Sequence, residues 1–203
     1  SSTYEQYVRL RLAFHGGYTH ANRHYIGHIM EGSTPINCYD YASDYPYCML
    51  AYKFPRERFH AYKDLSINEA LEISDQYAII GKLVIVKPRL KDDFIPMPCL
   101  QASKCYRKSS DTVCDNGRIL ASGFCVLYVT EYDLKVIQAQ YDYDEGTILT
   151  DVEISNKDYL PKWFRDTVDK FMYGKTKYKA LEQAMDARGI EVVSDTFFGV
   201  YTT

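Results

Sequence analysis

Asp40 stands near the end of the run Ile36 to Tyr41, and Ser43, Tyr45 and Pro46 follow it closely. The run reads as a β-strand. Pro46 falls in the first turn of a helix beginning at Ser43, where proline costs least. A strand-end aspartate beside a helix start is suited to phosphoryl or nucleotidyl transfer, which needs a divalent ion to polarise phosphate oxygens. Magnesium takes one or two carboxylates and completes its shell with phosphate and water. Asp40 would hold such an ion while the unpaired N–H groups of the helix start face phosphate oxygens. Read in isolation, the same aspartate is also a helix-capping or dipole-complementing residue.

The elements that must position these groups are legible along the chain. Tyr4 to Phe14 has helical apolar spacing, and Gly16-Gly17 stops it. Tyr25 to Met30 alternates loosely and reads as a strand, with Ile36 to Tyr41 as a second. The helix from Ser43 runs to about Tyr52, before Pro55. Ser66-Ile67-Asn68-Glu69 has the form of a capping box for a helix over 67–74. Tyr77 to Pro88 is the strongest strand. Asn116-Gly117 predicts a hairpin tip at 115–117, with Ile119 to Val129 as the return strand. Thr130 caps a helix over 131–140, Thr147 to Ile154 is a strand, and a long basic helix spans Tyr159 to Arg188, closed by Gly189. Ile190 to Tyr201 is β-rich. The pattern is one α+β unit with an inserted lobe.

The 203 residues are enough for one substantial core. The apolar fraction of 46% and charged fraction of 25% are those of a globular protein. Twenty tyrosines suit half-buried strands, and also surfaces that stack on bases. A net charge of −3 does not by itself mark a nucleic-acid binder. Basic residues do gather at Arg9 to Arg11, His20 to His24, Lys104 to Lys108 and Lys170 to Lys179, each also readable as a solvated helix face. No run of about 20 apolar residues exists to span a membrane, and no secretory leader is visible, so a cytoplasmic setting is expected. Six cysteines without a CxxC pair read as free thiols.

Asp40-x-x-Ser43-x-Tyr45-Pro46 resembles the first polymerase motif of protein-primed family B DNA polymerases, the pattern D-x-x-S-x-Y-P. The resemblance implies that Asp40 is catalytic and binds Mg2+ (or Mn2+), with the Tyr41 carbonyl as a further metal ligand. It implies that Ser43 meets the incoming dNTP, and that Tyr45 lies under the sugar and rejects a 2′-hydroxyl. Upstream, Phe14-His15-Gly16-Gly17 is similar to the segment that contacts the template strand in that family. DNA contacts are therefore implied at His15, Gly16 and Gly17, with His15 standing where the family usually has arginine. Asp92-Asp93-Phe94-Ile95-Pro96 and the hairpin before Gly123 occupy the place of the insertion that touches a terminal (priming) protein. Tyr173-Gly174-Lys175-Thr176-Lys177 resembles the lysine-bearing helix leading to the second motif, and Lys175 is implied on DNA. The resemblance covers roughly residues 10 to 180.

The implied fold is a polymerase palm-like antiparallel sheet packed on helices, with an inserted β-hairpin-containing lobe. The expected division is a palm segment over 1–90, a terminal-protein-region-like lobe over 91–157, and a basic helix with a final β segment over 158–203. The second motif, K-x-x-x-N-S-x-Y-G, has no match, and Ser194-Asp195-Thr196-Phe197 is the only echo of the third, D-T-D. The chain is therefore expected to be a polymerase fragment, inactive alone, that works with a DNA primer-template, dNTP, a terminal protein and the remaining polymerase segments. A polymerase-derived module that binds nucleic acid or protein without catalysis is the alternative.

Overall fold

The computed structural model describes residues 4–15, 22–29, 32, 39, 41 and 43–186. Its α-helices are α1 (Tyr4–Ala13), α2 (Asp44–Ala51), α3 (Ile67–Ile73), α4 (Glu131–Gln140) and α5 (Lys162–Asp186). The strands are β1 (Phe54–Pro55), β2 (His60–Ala61), β3 (Tyr77–Val86), β4 (Arg89–Leu90), β5 (Arg107–Lys108), β6 (Val113–Asp115), β7 (Arg118–Ala121), β8 (Phe124–Thr130), β9 (Tyr141–Asp142) and β10 (Ile148–Asp158). Residues 1–36 and 54–158 form one compact unit; residues 37–53 and 159–203 form a second.

The first unit is built on a six-stranded antiparallel sheet in the order β1-β10-β3-β8-β5, with β2 also on β10. Strand alternation decides its faces. Ile79, Leu83 and Ile85 of β3 share one face with Cys125, Leu127 and Val129 of β8, and all are buried. Ile67 and Ala70 of α3 and Leu134 and Ile137 of α4 belong to the same core. Each fully buried aliphatic side chain contributes about 1.5–3 kcal/mol, against about 0–1 for an exposed ion pair, so this face holds the unit together. On the opposite face, that of Ile80, α1 packs on β8 and β3, and Arg9 pairs with Glu153 at 3.0 Å.

Two buried polar groups tie the layers. Glu131, at the first position of α4, accepts the Ile79 N–H at 2.9 Å and pairs with Lys157 of β10 at 3.2 Å. The Thr130 N–H and hydroxyl both donate to Asp133, which fixes the start of α4. At α3 the capping box forms as expected: the Ser66 N–H and hydroxyl donate to Glu69, and the Glu69 N–H donates back to the Ser66 hydroxyl.

A second sheet, β6-β7-β4-β9, carries the hairpin lobe. Asn116 and Gly117 turn its tip with φ of 46° and 76°, as the Asn-Gly pair predicts. The expected single strand over 119–129 is instead two strands in two sheets. Ser122 and Gly123 break it, and opposite them Lys87, with φ 45°, and Pro88 break the partner strand. The Lys87 N–H donates to the Gly123 carbonyl at 2.9 Å, and the Ser122 N–H to that of Pro88 at 3.0 Å. The ribbon therefore bends as one piece, leaving one sheet for the other. A Cβ at Gly123 would lie 2.9 Å from the Ser109 hydroxyl and 3.1 Å from the Asp111 carboxylate, so a larger residue there would displace these side chains. The buried Tyr141 hydroxyl donates to the Ile119 carbonyl at 2.6 Å and ties β9 to β7 within the small sheet.

The expected strand at Tyr25 to Met30 is corrected. Residues 23–25 form a 3-10 turn, because the Asn22 side chain accepts the His24 N–H at 3.1 Å and Gly27 turns with φ 80°. The expected strand at 147–154 starts at Ile148 and runs on to Asp158, with a bulge at Thr150–Glu153 where Asp151, at φ 51°, pairs with Lys82 at 2.6 Å. Of the expected strand at 36–41 only Tyr39 and Tyr41 are described, neither in a strand, and the final segment 190–201 lies outside the described residues.

Candidate functional site

In the second unit, α2 begins at Asp44 with Pro46 in its first turn, as the sequence predicts. Its N-terminal cap, Ser43, is left-handed, with φ 59° and ψ 40°. A serine there carries backbone strain of order 1 kcal/mol. Its side chain makes no cap bond to the helix. Instead, the Ser43 hydroxyl oxygen accepts from Lys175 Nζ of α5 at 3.3 Å. Strain at a residue whose hydroxyl faces another element is the kind of outlier from which function is inferred.

Between α2 and α5 lies a cavity of about 610 Å3. That volume is within the range of small-molecule sites. Along α5 its lining runs from Lys175, bonded to Ser43, back over Met172 and Phe171 to Val168, and Asp44, Pro46 and Met49 line it from α2. Tyr41 and Tyr45 also line it, with 84% and 80% of their surfaces exposed, so neither ring is a core residue. On α5, positions 168, 171, 172 and 175 share one face by helical period. Around Asp44 the electrostatics are local. Loss of hydration and the Asp44 carboxylate, which accepts from the Cys48 thiol at 3.7 Å, push that thiol's pKa up. Away from the cavity, Arg165 and Lys53 lie over the Tyr159 ring at 5.3 and 5.8 Å and hold the start of α5.

Of the site residues expected from sequence, Tyr41, Ser43, Tyr45 and Lys175 come together at this cavity. Asp40, Gly16 and Gly17 lie outside the described residues, as does Asp195. His15 belongs to the first unit. Its side chain is 9% exposed, packed among Leu127, Val129 and Ile137, and its Nε2 is 3.8 Å from Asp133. Sequence reading did not single out Asp44, Met49, Phe171 or Met172. The signal was present in the 168–171–172–175 spacing, which marks the face of α5 turned to α2. Among the described residues, no group of three or more His, Cys, Asp or Glu could hold a metal ion. The described residues alone therefore do not make a metal centre. None of the described helices is long and apolar enough to cross a membrane.

The fold is similar to that of phi29 DNA polymerase in an orthorhombic crystal form, with a TM-score of 0.57 and 19% identity. The match covers 87% of this chain and 28% of that one, so the chain spans well under half of that polymerase. At that identity the likeness establishes the α+β fold, an antiparallel sheet packed on helices. No curated protein matches the chain. A family model described as DNA polymerase type B, organellar and viral, matches residues 2–187. The chain belongs to that family of DNA polymerases.

Proposed function

We propose that the chain is part of a DNA-directed DNA polymerase, and that the α2–α5 cavity receives the incoming dNTP. In the reaction, the primer 3′-oxygen attacks the α-phosphorus of the dNTP and pyrophosphate leaves. The observation that carries the reading is the Lys175–Ser43 contact at 3.3 Å, across a cavity whose other wall is the start of α2. A lysine ammonium, a hydroxyl and the N–H groups of a helix start are a donor set for phosphate oxygens. Lys175, implied on DNA by the family resemblance, is thus better matched to the triphosphate. Tyr45, at the mouth of the same cavity, is the proposed sugar-side residue that rejects a 2′-hydroxyl.

Asp40, with the Tyr41 carbonyl, is the proposed ligand pair for Mg2+ or Mn2+, an ion that neutralises triphosphate charge when bound. His15, Gly16 and Gly17 are the proposed contacts to the primer-template, and residues 91–157 the proposed contact to a terminal protein in protein-primed initiation. The burial of His15 favours a role in which its side chain anchors the glycine segment rather than reaching a phosphate itself.

The test is a titration of the chain with a fluorescent dNTP, paired with primer extension by the gene product. Lys175→Met is expected to weaken dNTP binding about tenfold, the value of one charge-assisted hydrogen bond. Asp40→Asn is expected to abolish extension. Unchanged extension in Asp40→Asn would sink the assignment of Asp40. Binding of dNTP without extension in the unsubstituted gene product would favour the non-catalytic module.

A further inference from the structure

The cavity is two-ended. Lys175 and Ser43 occupy one end, and Phe171 lies one helical turn before Lys175 on the same face of α5, 58% exposed and lining the cavity. Side chains four apart on a helix have Cβ atoms about 5–6 Å apart and lean towards the helix N-terminus. A ligand held by Lys175 at its phosphates therefore has the Phe171 ring within reach of the group it carries beyond them. Met172 and Val168 lie beside it on α5, and Met49 lines the cavity from α2. Thioethers and a branched aliphatic side chain offer a flat ring apolar contact without competing hydrogen bonds. Among the described lining residues of α5, Lys175 alone carries a polar group.

We propose that Phe171 is the platform on which the nucleobase of the bound dNTP stacks, in a manner tolerant of base identity. This rests on the nucleotide reading above. Stacking needs only a π-face, which every base has, so the four dNTPs bind alike at this end. Discrimination among them then falls to the template base rather than to the cavity.

The experiment separates the two ends by ligand. Calorimetric titrations of the 203-residue chain with each dNTP and with inorganic tripolyphosphate are compared for unsubstituted protein, Phe171→Leu and Phe171→Tyr, with circular dichroism confirming that each variant is folded. Phe171→Leu is expected to weaken binding of all four dNTPs by about fivefold or more, in line with the loss of one base–aromatic stack, while tripolyphosphate binding is unchanged. Phe171→Tyr, which keeps the ring, is expected to restore dNTP binding. Equal weakening of dNTP and tripolyphosphate in Phe171→Leu, or no weakening of either, overturns the platform while leaving the triphosphate site intact. If the unsubstituted chain binds neither ligand, the nucleotide reading itself fails and the platform with it.

Discussion

Ser43 answers to two demands that pull apart. Its backbone sits at φ 59°, where glycine is at ease and serine is not, while its hydroxyl is held by Lys175. Ser43→Gly is therefore expected to raise the unfolding free energy, by up to about 1 kcal/mol in urea titrations, while weakening tripolyphosphate binding. A fall in both would mean that the hydroxyl is structural. This duality was only half visible in sequence. The spacing Asp40, Ser43, Tyr45, Pro46 marks a strand-to-helix turn, but a left-handed serine has no sequence signature. His15 shows the converse. A histidine beside two glycines reads as exposed, yet the first unit closes over its ring, a packing outcome that local pattern cannot express.

At the scale of elements, helix starts were the most legible features, because caps are local chemistry. The Ser66–Glu69 box and the Thr130–Asp133 pair each lie within four consecutive residues, and each forms. The Glu131–Lys157 pair was not legible. Its partners are 26 residues apart in sequence and meet only once β10 and α4 are both in place. With side chains 4% and 7% exposed, the pair is a buried one. Removing one partner strands the other charge, so Glu131→Ala is expected to cost about 3–5 kcal/mol in denaturant unfolding. The double substitution Glu131→Leu with Lys157→Met is expected to recover much of that loss. If the double variant were as unstable as the single one, the cost would lie in the lost Ile79 N–H bond instead.

For the molecule as a whole, strand order was beyond reach of the sequence, because β1 and β2 add to β10 from far earlier in the chain. Continuous apolarity over 119–129 hid a change of sheet. Charge contributes a distinct signature at this scale. The Lys87 ammonium, at 3.0 Å, and then the Arg89 guanidinium, at 3.2 Å, hold the Asp144 carboxyl below its usual pKa. A lowered folded pKa gives stability that is present above the unfolded value, near 4, and lost as pH falls through the folded one. The difference in Tm between the unsubstituted chain and Asp144→Asn is thus expected at pH 7 and should close below about pH 4. A difference that persists in acid would point to packing.

The bent ribbon that joins the two sheets has a mechanical meaning. Both of its strands turn at the same step, Lys87–Pro88 against Ser122–Gly123, and the Asp111 carboxylate is pinned to the Gly123 N–H at 2.9 Å. Force applied at the Asn116–Gly117 tip would reach β8 through these two hydrogen-bonded steps, and β8 lies directly against β3. A load on the small sheet is therefore a load on the centre of the large one.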